Sequence, residues 1–315
     1  MTIGELFIGL KIEKCYGSFD IEIKGIAYDS RRVKEGFLFV AIKGFLTDGH
    51  KYIKDALKRG AVAVVVEHEV DLHPEITFIK VTDTRQALAL LSSAFYNYPS
   101  QKLSLVGVTG TNGKTTTTYI TKSILNSWDK KVGLLGTIQY IIADRVITAS
   151  HTTPESLDLQ RYLSDMVENG VEYVVFEVSS HSLALKRVEG CSFKVAVFTN
   201  FTQDHLDFHG TMDNYLKAKK KIFGYLTHDG SAVLNWDDPT VRSIAGELRC
   251  RVITYGFGDG AMLKAKDVKS NMSGLSFKVQ TPDTEFSVTS PLVGRNNAYN
   301  ILAAVSSAYA LGVGE

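Results

Sequence analysis

The sequence is short of cysteine, of net charge and of long apolar runs, and each shortage removes a class of protein. Its three cysteines, Cys15, Cys191 and Cys250, form an odd set without paired spacing. That excludes a disulfide scaffold and a cysteine-built zinc site, and it makes each thiol a small core residue in a reducing compartment. The 35 basic residues almost cancel the 34 acidic ones, leaving a formal charge of +1. Such a balance offers no electrostatic basis for binding nucleic acid or a membrane surface. Apolar runs such as Ala61 to Val66 fall far short of the roughly 20 residues needed to span a bilayer. The opening stretch Met1 to Leu10 has no basic leader and is interrupted by Gly4, Glu5 and Gly9, so no signal peptide is expected. No internal repeat or low-complexity tract is present. The expectation is a cytoplasmic monomer with neither a nucleic-acid nor a membrane partner.

What is there has the pattern of an α/β protein. At 315 residues the chain exceeds what one hydrophobic core usually organises, so two domains are expected. In the first hundred residues, Ile21 to Ala27, Phe37 to Ile42, Ala61 to Glu67 and Ile76 to Val81 read as strands. Gly49 to Arg59 and Thr84 to Tyr98 read as helices, the second capped near Asp83. Asn97-Tyr98-Pro99-Ser100-Gln101 is the best linker, because proline and small polar residues end one helix before a new apolar strand begins. A small N-terminal α/β domain is therefore placed at 1–101 and a second domain at 102–315.

The second domain opens with a strand at Leu103 to Thr109 and a helix from Lys114 to about Asn126. Apolar runs at Tyr173 to Val178, Lys194 to Thr199, Ala232 to Asn235 and Val252 to Tyr255 alternate with helices starting near Pro154, Asp213 and Asp238. That alternation predicts a mostly parallel sheet. Beyond residue 262, alternating segments at Leu275 to Gln280 and Glu285 to Thr289 predict a small antiparallel extension, followed by a last helix at Asn297 to Leu311.

Between that first strand and helix lies Gly110-Thr111-Asn112-Gly113-Lys114-Thr115. Glycines at 110 and 113 let backbone N–H groups converge on phosphate oxygens, the helix presents its positive end, and Lys114 adds a point charge. Thr115 then places its hydroxyl for Mg²⁺. The common spacing of this motif puts a glycine where Val108 stands, which marks a subtype. Glu177 ends the apolar run Tyr173-Val174-Val175-Phe176, at the edge of the sheet where a metal-ligating carboxylate belongs; the alternative is a strand-end glutamate facing solvent.

The helix predicted at Asp213 to Leu226 carries four lysines. Lys217, Lys220 and Lys221 fit a solvated face. Lys219 shares a stripe with Tyr215, Ala218, Ile222, Phe223 and Leu226, which predicts partial burial. Burial disfavours the ammonium form, and a neutral amine can capture CO₂ as a carbamate able to ligate Mg²⁺. The plainer alternative, favoured on the helix alone, is a lysine snorkelling along its aliphatic stem.

Several motifs in one order give the chain a resemblance to the Mur ligases, of the MurE type that extends UDP-N-acetylmuramoyl-L-alanyl-D-glutamate by a third amino acid. They are Asp29-Ser30-Arg31, Thr109-Gly110-Thr111-Asn112-Gly113-Lys114-Thr115-Thr116, Thr152-Thr153-Pro154, Glu177-Val178-Ser179-Ser180-His181, Thr199-Asn200, Asp204-His205-Leu206-Asp207-Phe208-His209-Gly210 and Gly294 to Asn300.

The resemblance implies a uridine-binding N-terminal domain, a central ATP-binding domain and ATP-dependent amide synthesis through an acyl phosphate, with ATP and Mg²⁺ as cofactors. It implies that Gly110, Thr111, Asn112, Gly113, Lys114, Thr115, Thr116, Asn297 and Asn300 bind the nucleotide, and that Lys114, Glu177, His205 and Lys219 are catalytic. Thr115, Glu177, His205 and Lys219 would be the metal set, with a CO₂-derived carbamate on Lys219. Ser30, Thr152, Thr153, Ser179 and Arg187 would bind the nucleotide sugar and its peptide.

Some of these positions have competing structural readings. Thr153 precedes Pro154 and Glu155, where helix capping alone accounts for it, and Asn297 could equally be a cap. His209 reads as a structural hydrogen-bonding histidine. Leu185 and Phe45-Leu46 stand where related enzymes often carry polar residues. The sequence stops after two of the three domains of MurE-type enzymes, so the expectation is a chain that binds ligands with little or no turnover. The acceptor, meso-diaminopimelate or L-lysine, is left open because its determinants lie in the third domain. The rival readings are a folylpolyglutamate synthase-like ligase and a noncatalytic nucleotide-binding module.

Overall fold

The computed structural model describes residues 1–44 and 47–313; Phe45-Leu46 and Gly314-Glu315 lie outside the described residues. The chain forms two compact units. One comprises Met1–Pro99 with Glu155–Ser164 and Leu185–Gly190; the other comprises Ser100–Pro154, Asp165–Ala184 and Cys191–Glu315.

The first unit contains α1 (Ile3–Leu6), β1 (Lys14–Tyr16), β2 (Gly25–Ala27), β3 (Phe37–Val40), α2 (Ile53–Lys58), β4 (Ala61–Val66), β5 (Thr77–Lys80) and α3 (Thr84–Phe95). Its sheet has the order β1-β5-β4-β3-β2, parallel except for the edge strand β1. Strand alternation feeds two cores. Leu38, Val40, Ala63, Val65 and Ile79 meet α1 and α3, while Phe39, Val64, Val66 and Phe78 meet Ile53 and Ala56 of α2. The strand expected from Ile21 is confined to Gly25–Ala27, because Ile23 N–H donates to the Met1 carbonyl and Glu22 bridges to Thr2. The helix expected at 49–59 begins as a 3₁₀ turn at Gly49–Tyr52. α3 stops at Phe95 rather than Tyr98, since Asn97 and Tyr98 turn left-handed, with φ of 58° and 51°, just before Pro99.

The second unit adds β6 (Ser104–Thr109), α4 (Lys114–Ser127), β7 (Val132–Leu135), β8 (Gln139–Ile142), β9 (Arg145–Thr148), α5 (Ser156–Glu168, its residues to Ser164 in the first unit), β10 (Tyr173–Glu177), α6 (Ser180–Ala184), β11 (Phe193–Phe198), α7 (Leu206–His209), α8 (Met212–Lys220), β12 (Leu226–Asn235), α9 (Pro239–Ile244), β13 (Arg251–Gly256), β14 (Leu263–Asn271), β15 (Gly274–Gln280), β16 (Glu285–Ser290) and α10 (Arg295–Ala310). The eleven strands run β16-β15-β14-β13-β12-β11-β6-β10-β7-β8-β9. From β13 to β7 all neighbours are parallel.

The antiparallel extension expected beyond residue 262 is β14 to β16. A second antiparallel hairpin, β8–β9, extends the opposite edge. The parallel strands are buried on both faces, which is why they read as unbroken apolar runs. Val106, Val108, Val197 and Val233 pack towards Leu125 of α4 and Leu302 of α10. Phe198 and Leu234 pack on the other side with Val241 and Ile244 of α9. The chain leaves β6 through α4 to reach β7 on one side and later returns as β11 on the other, which makes the carboxyl edge of β6 the switch point where such sheets hold ligands. Among the described residues no helix is long and apolar enough to cross a membrane.

Leu302 is fully buried in the α10 layer whereas Met272 is 98% exposed at the β14–β15 turn. Leu302→Ala should cost about 2–5 kcal/mol in urea unfolding, and Met272→Ala should stay within about 0.5 kcal/mol. Equal effects would refute this placement of the core.

Candidate nucleotide and metal site

The loop between β6 and α4 owes its shape to two glycines. Gly110 has φ +142°, and a Cβ there would overlap the Thr199 hydroxyl; Gly113 has φ +85°, and a Cβ would run into the Asn300 amide oxygen. Only glycine meets both demands. The loop is then pinned to the segment that follows β11. Thr111 N–H donates to the Asn200 carbonyl at 2.9 Å, Asn112 N–H to Asn200 Oδ1 at 2.8 Å, and Thr199 Oγ1 to the Asn112 carbonyl at 2.6 Å. Gly113 is the N-cap residue of α4, so the helix starts at Lys114 with Thr115 and Thr116 in its first turn.

Glu177, the last residue of β10, is 1% exposed. One oxygen accepts from Thr137 N–H at 2.8 Å; the other accepts from Thr115 Oγ1 at 2.9 Å and Thr137 Oγ1 at 3.1 Å. The carboxylate therefore points inward, not into solvent. A buried carboxylate held by neutral donors, with a threonine hydroxyl at the head of a phosphate-type helix, fits a hard divalent cation. Thr137 carries no motif signal; the only hint of it is Gly136, where a Cβ would approach Glu177 Oε1 to 2.6 Å.

Two lysine amines converge above the loop. Lys114 Nζ donates to the Gly110 and Thr111 carbonyls, each at 2.9 Å, and Lys219 Nζ donates to Gly110 O at 2.7 Å. Lys219 is 1% exposed, so its burial is fuller than the stripe argument required, and it lies 4.6 Å from the Tyr215 ring centroid. The stripe itself is shorter than expected: α8 ends at Lys220, a 3₁₀ turn carries Phe223, and Leu226 opens β12. Burial lowers the Lys219 amine to about 6, reinforced by the nearby charge of Lys114 and opposed by Asp204. Lys114 is lowered too, by burial, against the pull of Glu177 and Asp204.

His205 adopts φ +50° at the head of α7, with its Nε2 3.3 Å from Asp204 and its ring against His181 at 4.7 Å. His209 is buried and its Nε2 pairs with Ser180 Oγ at 2.9 Å, in keeping with a structural part. Tyr215, absent from the expected set, is fully buried. It packs against His209 and sets its hydroxyl 3.3 Å from Thr111 Oγ1.

Asn297 sits inside α10, whose N-cap is Gly294, so the helix-cap reading does not hold; its Nδ2 donates to Val293 O, and its Oδ1 accepts from Asn300. Thr153 Oγ1 donates to the Glu177 carbonyl at 2.8 Å and accepts from Ser179 N–H at 3.2 Å, stitching the end of β10. Thr152 accepts from Thr137 Oγ1, and Ser179 Oγ caps α6 by accepting from Ser182 N–H. Ser30 and Arg187 belong to the first unit. Ser30 is buried in a 3₁₀ turn that Asp29 caps. Arg187 Nε donates to Glu155 at 3.2 Å.

A strand, a glycine loop and a helix at the switch point of a parallel sheet, with a buried acidic residue on the adjacent strand, define a P-loop protein. A family profile for the Mur ligase middle domain matches residues 108–308, and one for the Mur ligase family catalytic domain matches 22–96. The chain belongs to the Mur ligase family. It is 48% identical over 313 residues to a UDP-N-acetylmuramoyl-L-alanyl-D-glutamate--2,6-diaminopimelate ligase from Caldanaerobacter subterraneus, covering 99% of this chain and 64% of that protein. It is 44% identical to the ligase of the same name from Clostridioides difficile, covering 99% and 65%. A solved structure of a ligase of that name superposes with a TM-score of 0.86 at 28% identity, over 99% of this chain and 64% of the other. The chain thus spans just under two thirds of the length of these relatives.

The lowered Lys219 amine has a thermodynamic consequence. Between about 6 and the ordinary 10.5 the unfolded chain holds a proton that the folded chain does not, so through this group folding stability rises with pH across that window. Below about 6 both states are charged and the cost of the buried ammonium is present in full. Lys219→Met should therefore flatten the gain in stability between about pH 6.5 and about pH 9, read by urea unfolding. Parallel slopes for the two proteins would contradict a buried neutral amine.

Proposed function

We propose that this chain carries the nucleotide-binding and nucleotide-sugar-binding portions of a cytoplasmic, ATP-dependent ligase that adds 2,6-diaminopimelate to UDP-N-acetylmuramoyl-L-alanyl-D-glutamate during peptidoglycan assembly. The observation that carries the reading is the bond from Thr115 to buried Glu177 beside buried Lys219 and half-buried Lys114 at one loop. The names borne by the 48% and 44% identical relatives supply the substrates.

In this reading residues 1–101 bind the UDP-sugar through Ser30, and 102–315 bind ATP. Loop N–H groups from Gly110 to Thr116 and the head of α4 receive the phosphates, and Lys114 leaves its two carbonyl partners to pair with the terminal ones. Asn297 and Asn300 face the nucleotide. Thr115 and Glu177 would hold a Mg²⁺ and His205 a second one, and the charge these ions supply would neutralise repulsion between the triphosphate and the substrate carboxylate. Thr152 and Thr153 orient the muramoyl peptide; Ser179 and, in the first unit, Arg187 meet the substrate's anionic groups. The carboxylate takes the γ-phosphoryl group, and the incoming amine displaces phosphate from the acyl phosphate. The neutral Lys219 amine combines with CO₂ to give a carbamate and a released proton, turning a base into a metal-binding anion.

Calorimetric titration of the chain with UDP-N-acetylmuramoyl-L-alanyl-D-glutamate, and separately with a nonhydrolysable ATP analogue plus Mg²⁺, tests the reading. Saturable binding of both is expected, with Thr115→Ala weakening the Mg²⁺-dependent part by about tenfold or more. Binding of the ATP analogue without the nucleotide sugar would overturn the substrate assignment. Carbon NMR after incubation with ¹³C-bicarbonate should show a carbamate signal that disappears in Lys219→Met.

A further inference from the structure

In the first unit two guanidinium groups share one carboxylate. Glu155 Oε2 accepts from Arg187 Nε at 3.2 Å and lies 3.7 Å from Arg85 Nη1, a distance of charge attraction too long for a hydrogen bond. All three side chains are largely buried, at 19% exposure for Arg85, 15% for Arg187 and 17% for Glu155. Arg85 Nη1 is itself enclosed and has no hydrogen-bond acceptor, while Nη2 reaches the Lys43 carbonyl only at 3.5 Å. The trio therefore holds one buried donor, Arg85 Nη1, without an acceptor. A buried N–H left in that state is costly, and such a group calls for a second arrangement in which it is satisfied.

We propose that Arg85 is a positioning residue that takes over Glu155 when Arg187 engages an anionic group of the nucleotide-sugar substrate. This rests on the function proposed above, in which Arg187 meets such a group. An anion arriving at Arg187 is placed beside Glu155, and two like charges cannot both be served by one guanidinium in a poorly solvated place. A shift of Glu155 Oε2 towards Arg85 Nη1 removes the repulsion, releases Arg187 Nε from this carboxylate and gives the enclosed donor its acceptor. Arg85 acts only through Glu155. The atom concerned, Nη1, is shut off from solvent and faces Glu155 rather than the ligand.

The arrangement predicts a dependence between two residues that a packing role would not produce. In titrations with UDP-N-acetylmuramoyl-L-alanyl-D-glutamate, Arg85→Gln should weaken binding by about tenfold, because Glu155 is then left to compete for Arg187. Adding Glu155→Gln removes the competitor, so the double variant should bind within about threefold of Glu155→Gln alone. Arg85→Lys keeps a cation in place and should show the same dependence on a smaller scale; it carries the test should Arg85→Gln not fold, which thermal unfolding reports. An Arg85→Gln variant that binds like the unaltered chain, or an equal loss with and without Glu155→Gln, overturns the proposal while leaving the function standing. Failure of the unaltered chain to bind the nucleotide sugar overturns both.

Discussion

The carbonyl of Gly110 is where the second unit is most constrained. Lys114 and Lys219, one from the head of α4 and one from α8, both donate to it, the first from a half-buried place and the second from one almost closed to water. Two ammonium groups cannot be held that close without a compensating anion for each. Lys114 has Glu177 and Asp204 to hold its charge, whereas Lys219 feels the repulsion of Lys114 and only the partial relief of Asp204, so it is Lys219 that gives up its proton. Both amines are lowered by burial, but Lys114 is drawn back up by Glu177 and Asp204 whereas Lys219 is pushed further down by Lys114, to about 6. In the function proposed, that difference would let one loop serve both phosphate binding and amine chemistry.

Everything around the loop serves to hold that carbonyl in place. Its peptide leaves β6 at the switch point, with β11 on one side and β10 on the other, and the left-handed region it occupies is available because Gly110 has no Cβ to strike Thr199. Thr199 and Asn200 then give the Asn112 carbonyl and the Thr111 and Asn112 N–H groups their partners, which fixes the near side of the loop. The sheet is rigid because its strands are buried on both faces, and the loop inherits the rigidity from both ends.

How far the sequence speaks follows from the range of each interaction. Gly110, Gly113, Lys114 and Thr115 are legible because the phosphate loop is a local device, with strand, turn and helix contiguous. Glu177 is legible for a related reason: an apolar run ending in a carboxylate fixes which end of which strand it occupies. The burial of Lys219, though not its role, is legible from a helical stripe even though that helix is shorter than its pattern, since Tyr215 and Ala218 precede it within one turn. The partners that matter across the fold are not legible. Nothing local announces that Thr137 gives two hydrogen bonds to Glu177, that Tyr215 backs the loop through Thr111, or that Gly294 rather than Asn297 opens the last helix. Nor does any pattern show that 155–164 and 185–190 belong with the first unit, which is what brings Arg85 to Glu155 and Arg187.

The two carboxylates, Glu177 and Glu155, show how burial assigns opposite tasks to the same side chain. Glu177 is surrounded by neutral donors, two of them from Thr137, which orient it and stabilise its charge without cancelling it. A carboxylate in that state retains its attraction for a cation, and donors on the loop after β7 and on the first turn of α4 already orient it. Glu155 stands between two guanidinium groups, so its charge is already spent, and its position depends on which of them holds it more closely. The first is built to stay and the second to move. The difference lies in the formal charge of the donors: neutral ones fix a carboxylate without competing for it, whereas two cations at unequal distances define two resting places.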